Sequence, residues 1–203
     1  MGASQKRHYK EASIAAERAI HSIEELIEDL REATSLEEAL ASGERVEVDL
    51  VGLLASYLRG YREEGPTELE ADLPEGSFRT RVIENRIEQM LDKLLGNAAE
   101  FSDGSPVRIT LKCGDSEARI RVENRGSQLP PGPGAEQIFE PMWSDRKRTA
   151  ERHLGMGLYV ARVIAEHHGG AIRAWNADVD RVVFEVTLRA ARERAPAVAG
   201  VAS

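Results

Sequence analysis

Long apolar runs are missing from these 203 residues: no stretch of about 18 consecutive apolar positions occurs, which removes the ordinary signature of a membrane-spanning helix. The amino terminus also lacks the basic-then-apolar pattern of a secretory leader. Cysteine is almost absent. A single Cys113 excludes an internal disulfide and cannot build a multi-thiolate metal site, so a reducing compartment such as the cytoplasm is expected, with the thiol expected to be buried. Excess positive charge is lacking too. The formal charge of −8 and the pI near 5.3 argue against a nucleic-acid partner, because a phosphate-tracking surface needs clustered Lys and Arg. Any anion site must therefore be local.

From about Ser4 to Ala41 proline and glycine are absent as well, which permits one uninterrupted helix. Ile20, Ile23, Ile27 and Leu30 recur at three- and four-residue steps, with Leu26, Ala33 and Leu40 at sevens. Such a helix would run about 50 Å and calls for a partner, so residues 1–44 read as a dimerisation stalk giving a homodimer. A helix folded back onto its own domain is the alternative. Residues 45–190 read as the globular domain, and 191–203, rich in Ala and Arg, as a loose tail.

Within the globular part, Asp49 is the expected N-cap of a short helix ending near Gly65-Pro66, and two strands flank the turn Pro74-Glu75-Gly76. Ile87, Met90, Leu91, Leu94, Leu95 and Ala98 form a helical core stripe. Lys93, Asn97 and Glu100 share the other side of that helix, with Phe101 beyond. Two alternating strands follow, carrying Val107 to Cys113 and Ala118 to Asn124. A Pro- and Gly-rich loop covers 125–134, and Arg146, Lys147, Arg148, Arg152 and His153 concentrate positive charge before Gly155-Met156-Gly157-Leu158 opens a helix that Gly169-Gly170 closes. Two final strands hold Ile172 to Trp175 and Val182 to Leu188. His167 and His168 read as capping the last turn, since further ligands for a metal are not apparent.

The order of these segments resembles the N, G1, F and G2 boxes of histidine-kinase catalytic domains in the GHKL ATPase superfamily: Leu91 to Phe101, Val122 to Pro130, Ile138-Phe139-Glu140, and His153 to Tyr159. The stalk is similar to the second helix of their dimerisation and phosphotransfer domain. The Leu-Asp-Lys-Leu and Val-Glu-Asn strings are similar to those of kinases in a proteobacterial sortase-associated two-component system. The resemblance implies an α+β fold: a two-layer α/β sandwich of the Bergerat type, with a mixed, mostly antiparallel sheet and helices on one face. It also implies ATP and Mg²⁺ as cofactors, a response regulator as partner, and membrane attachment upstream in a longer protein.

By the same resemblance, Asn97 would ligate Mg²⁺ through its amide oxygen, a donor type suited to a hard cation. Asn124 stands where the family has an Asp that accepts from the adenine amino group; turn stabilisation is the alternative. Gly126 would let backbone approach the base, while Gln128 replaces the family's second glycine. Lys93 and Glu100 replace a frequent Asn and a basic residue: the first could touch phosphate and the second act as general base or metal-side carboxylate, and a solvent-facing salt bridge fits equally. Phe101, Arg148, His153, Leu154, Gly155, Met156, Gly157 and Leu158 complete the expected nucleotide contacts, the glycines presenting backbone N–H groups at a helix start. Neither His8 nor His21 has a phosphoacceptor context, so the chain alone should not autophosphorylate. Alternatives are a degenerate nucleotide-binding dimeric scaffold and an anti-sigma-factor type serine kinase, the latter lacking so long a stalk.

Overall fold

The computed structural model describes residues 34–64, 67–132, 134–143 and 155–191, with isolated helical positions at 13, 16, 20, 24, 27 and 31. The expectations for His8, His21, Ile23, Leu26, Leu30, Ala33, the basic segment with Arg148, His153 and Leu154, and the 192–203 tail lie outside these residues.

Helix α1 (residues 34–42) ends the stalk segment. Leu36 and Leu40 are buried in the domain core, whereas Ile20 and Ile27, nearer the amino terminus, are 58% and 52% exposed. The carboxyl end of this helix therefore packs on its own domain. Strand β1 (Val46–Asp49) follows directly, a strand that its four residues did not announce. Asp49 behaves as expected at the start of α2 (Leu50–Glu64): its Oδ1 accepts from the Val51 N–H at 3.2 Å and from the Phe78 N–H at 2.9 Å.

The strands flanking Pro74 do not pair with each other. β2 (Leu69–Asp72) runs parallel to β4 (Val107–Cys113), whereas β3 (Arg79–Val82) forms a separate two-stranded sheet with β1, in register Val46↔Val82. The main sheet has the order β2-β4-β5-β7-β6, with β5 (Glu117–Arg125), β6 (Ala171–Asn176) and β7 (Arg181–Arg189) all in antiparallel contacts. This is the mixed, mostly antiparallel α+β sheet that the resemblance implied. Helices α3 (Glu84–Glu100) and α5 (Gly157–His167) pack on one another and on the sheet, while α4 (Gly134–Gln137) is a single turn.

The stripe read from the sequence is the buried face of α3: Ile87, Met90, Leu91, Leu94, Leu95 and Ala98 are fully covered. Cys113 departs from expectation. It is exposed, because it ends β4 beside the Gly114 turn, where the Gly114 N–H bonds to the Glu117 carbonyl and the strand leaves the core.

Candidate functional site

Burying one face of α3 turns the other toward a gap between α3, the sheet and the start of α5. That gap is a cavity of about 270 Å³. Lys93, Asn97, Glu100 and Phe101 from the end of α3 line it, together with Asn124 from β5 and Gly155, Met156, Gly157 and Leu158 from the turn into α5. Nine of the residues singled out in the sequence thus border one space. Gly126 does not line it. It stands behind the wall at φ +142°, bridged to Ser102, and a Cβ there would lie 2.1 Å from the Phe101 carbonyl oxygen. Its role is to let the G1 strand end close against the end of α3.

The two glycines of the α5 turn have different reasons to be small. Gly155 sits at φ +68°, and a Cβ would overlap the Trp143 carbonyl oxygen at 1.8 Å, so the fold itself requires glycine. At Gly157 the nearest atom to a Cβ would be Lys93 Cδ at 3.7 Å, ordinary van der Waals contact. Among the described residues nothing demands a glycine there; the space in front of it belongs to the cavity.

Asn124 is the electrostatic anomaly. It is 2% exposed, on the buried parity of β5 beside Val182, and neither its Oδ1 nor its Nδ2 has a hydrogen-bond partner among the described residues. Leaving such groups unsatisfied costs about 1–3 kcal/mol each, and buried polar atoms without partners are uncommon. Among the described residues Asn124 bonds no turn amide. Its surroundings are apolar: Val182 and Phe184 of β7 share the sheet side of the cavity, with Leu129, Ile138 and Trp143 around it.

Trp143, Val182 and Phe184 were absent from the sequence-based site, whereas Asp92, Gly96, Ser127, Gln128, Leu129, Pro130 and Ile138 lay within the quoted boxes without an assigned contact. Alternating Val182 and Phe184 look like any core strand, so no local signal separates them. Gln128 Nε2 donates to the Asp178 carbonyl, while Asn176 takes the Leu129 N–H at 2.8 Å and returns a bond to the Leu129 carbonyl at 3.1 Å. Beside the cavity, the Tyr57 hydroxyl donates to Asp92 Oδ1 at 2.6 Å, and burial followed by this bond pushes its pKa far above the usual phenol value.

At the far end of the two helices lies the buried His168. Its Nδ1 donates to the Ile164 carbonyl at 2.7 Å and its Nε2 accepts from the Ile83 N–H at 3.0 Å. The ring is the neutral Nδ1–H tautomer, held below the usual histidine range chiefly by burial. It ties α5 to α3 and is no metal ligand; among the described residues no cluster of three His, Cys, Asp or Glu suited to a metal occurs. No described helix is long and apolar enough to cross a membrane.

The profile of the family described as histidine kinase-, DNA gyrase B-, and HSP90-like ATPase matches residues 82–192. Sensor protein ChvG of Rhizobium meliloti is 32% identical over 173 residues, covering 77% of this chain and 29% of that protein. Sensor histidine kinase MtrB of Mycobacterium leprae is 29% identical over 170 residues, covering 81% of this chain and 30% of MtrB. The chain thus spans under a third of the length of the curated relatives it matches. Among solved structures, the catalytic domain of histidine kinase ThkA in a nucleotide-free form superposes with a TM-score of 0.62 at 25% identity, covering 72% of this chain and 98% of that domain.

Proposed function

Since the chain belongs to the histidine kinase-, DNA gyrase B- and HSP90-like ATPase family, we propose that its cavity binds ATP and that the domain delivers the γ-phosphoryl group to a histidine on another segment of a two-component sensor kinase. The observation that carries this reading is the unpartnered, buried amide of Asn124 in the same cavity as Asn97 and the α5 turn. A flat heterocycle with a donor–acceptor edge satisfies that amide, and the apolar walls of Phe101, Leu129, Ile138 and Phe184 suit its faces. The start of α5 then faces the phosphates with the backbone N–H groups of its first turn and the positive end of its dipole, and Gly157 leaves room for them.

Asn97 offers a neutral oxygen to a divalent cation without repelling a polyphosphate. When bound, Mg²⁺ would neutralise charge on the β- and γ-phosphates. Lys93 is the candidate phosphate contact and Glu100 the candidate general base or metal-side carboxylate. Arg148, His153 and Leu154 enter on sequence resemblance alone.

The stalk, residues 1–44, would join two copies into a homodimer, with residues 45–190 as the ATP-binding unit, a response regulator as acceptor of the relayed phosphoryl group, and a position in the cytoplasmic portion of a membrane sensor. The narrower likeness to sortase-associated kinases rests on Leu91–Leu94 and Val122–Asn124. Isothermal titration with ATP and Mg²⁺ tests the binding half: saturable heat is expected, and its absence at high micromolar nucleotide overturns the reading. Labelled ATP tests transfer: no phosphohistidine on this chain alone, and phosphohistidine on a supplied acceptor helix.

A further inference from the structure

We infer that the cavity accepts purine nucleotides carrying either a 6-amino or a 6-oxo group, and that the amide of Asn124 is what admits both. The inference rests on the nucleotide-binding reading above. Its basis is that no described residue fixes the amide in one sense. Both polar atoms of Asn124 are buried and neither is bonded to any described residue. The torsion that exchanges Oδ1 and Nδ2 is broad and roughly two-fold. Asn124 is also the only residue of β5 that lines the cavity, and its register partner Val182 is apolar and favours neither orientation.

The chemistry of the two bases is complementary to the two orientations. A 6-aminopurine presents a donor at its exocyclic nitrogen and an acceptor at N1. A 6-oxopurine presents an acceptor at O6 and a donor at N1. An amide with its oxygen toward position 6 satisfies the first edge, and a half-turn about Cβ–Cγ satisfies the second, since an asparagine side chain carries one acceptor oxygen and one donor NH₂. A carboxylate in the same place can only accept. It would bond the amino group and repel O6, so residue 124 sets the selectivity at position 6.

The test is calorimetric titration of the whole chain with ATP and with inosine triphosphate, each with Mg²⁺, because these ligands differ only in the 6-substituent and the protonation of N1. For the native chain the two dissociation constants are expected to agree within about tenfold. In Asn124→Asp the ratio should move toward ATP by roughly a hundredfold, the scale of leaving a buried acceptor facing an acceptor. In Asn124→Ala both ligands should weaken with their ratio near one. Binding of ATP with inosine triphosphate more than about a hundredfold weaker to the native chain overturns the inference alone, as does an unchanged ratio in Asn124→Asp. Failure of both ligands on the native chain overturns the nucleotide reading and this inference with it. Far-UV circular dichroism identifies any variant that has not folded; Asn124→Ser then takes the place of Asn124→Ala, and should Asn124→Asp not fold, the native ratio decides, agreement within about tenfold supporting the inference and a preference for ATP above about a hundredfold overturning it.

Discussion

His168 Nε2 accepts the backbone N–H of Ile83 at 3.0 Å, fastening the carboxyl end of α5 to the amino end of α3. The opposite ends of the same two helices, Asn97 to Phe101 and Gly155 to Leu158, border the cavity. The ring thus sets the spacing of two cavity walls from the far side. Arg45, just ahead of β1, bonds the same end of α5 through its Nη2 to the His167 carbonyl.

That contact makes stability depend on pH. The folded-state pKa of His168 is lowered, mainly by burial, so the unfolded chain binds the proton more readily. The stabilisation is complete above the ordinary histidine value of about 6.5 and is lost as pH falls from there through the folded value. Urea unfolding at pH 7.5, 6.5 and 5.5 should show a decline with a slope of up to about 1.4 kcal/mol per pH unit. His168→Gln retains an acceptor without titrating and should flatten the decline; parallel curves for the two proteins would assign it elsewhere.

The α5 turn separates a glycine needed by the fold from one left free by it. Gly155→Ala places a Cβ at φ +68° against the Trp143 carbonyl and should cost at least about 2 kcal/mol of stability. Among the described residues Gly157→Ala meets the Lys93 side chain alone, and it should change stability by less than about 1 kcal/mol. Its effect should instead be on ATP affinity, lowered about tenfold or more by crowding the phosphates. Thermal melts alongside calorimetry would check the division; equal stability losses would contradict it.

How far the sequence exposed this arrangement depends on the range of the interaction. The α3 stripe and its cavity face follow from 3.6-residue arithmetic, so Lys93, Asn97 and Glu100 could be placed together from residues 87–101 alone. Turn chemistry marked Gly155 and Gly169. Pairing across the chain could not be read: four-residue β1 and β3 carry no register signal until both are in space, and β2 chose β4, 38 residues on, over the neighbouring β3. The apolar cavity residues Val182 and Phe184 alternate like core, and only the space in front of them makes them part of a site.

Asn97 should act through a cation and not through the nucleotide directly. Asn97→Ala is therefore expected to lower ATP affinity about ten- to a hundredfold in the presence of Mg²⁺, the scale of one lost polar ligand. With EDTA replacing Mg²⁺, native and variant should bind ATP alike. A loss of equal size in both conditions would make residue 97 a direct nucleotide contact.

On the face of the sheet away from α3, Glu185 is 1% exposed, yet it carries two guanidinium partners: Arg121 Nε at 2.5 Å from Oε2 and Arg173 Nε at 2.8 Å from Oε1. Both guanidinium groups also stack near Trp175, at 5.7 and 5.1 Å from a ring centroid. Burial alone would raise the carboxyl pKa, but the hydrogen bonds and charges of Arg121 and Arg173 outweigh it and hold it below the usual carboxylate range. This contribution is complete above the ordinary glutamate value of about 4.3 and disappears as pH falls through the lower folded value. Because the arginines are partly open to water and regain hydration when the carboxylate is removed, Glu185→Gln should cost about 1–2 kcal/mol at neutral pH, less than the 3–5 typical of a fully buried broken pair. The three strands β5, β7 and β6 are joined at this point, so the loss should appear in urea unfolding while ATP affinity stays within about twofold. A matching drop in affinity would mean that this far face of the sheet is coupled to the cavity.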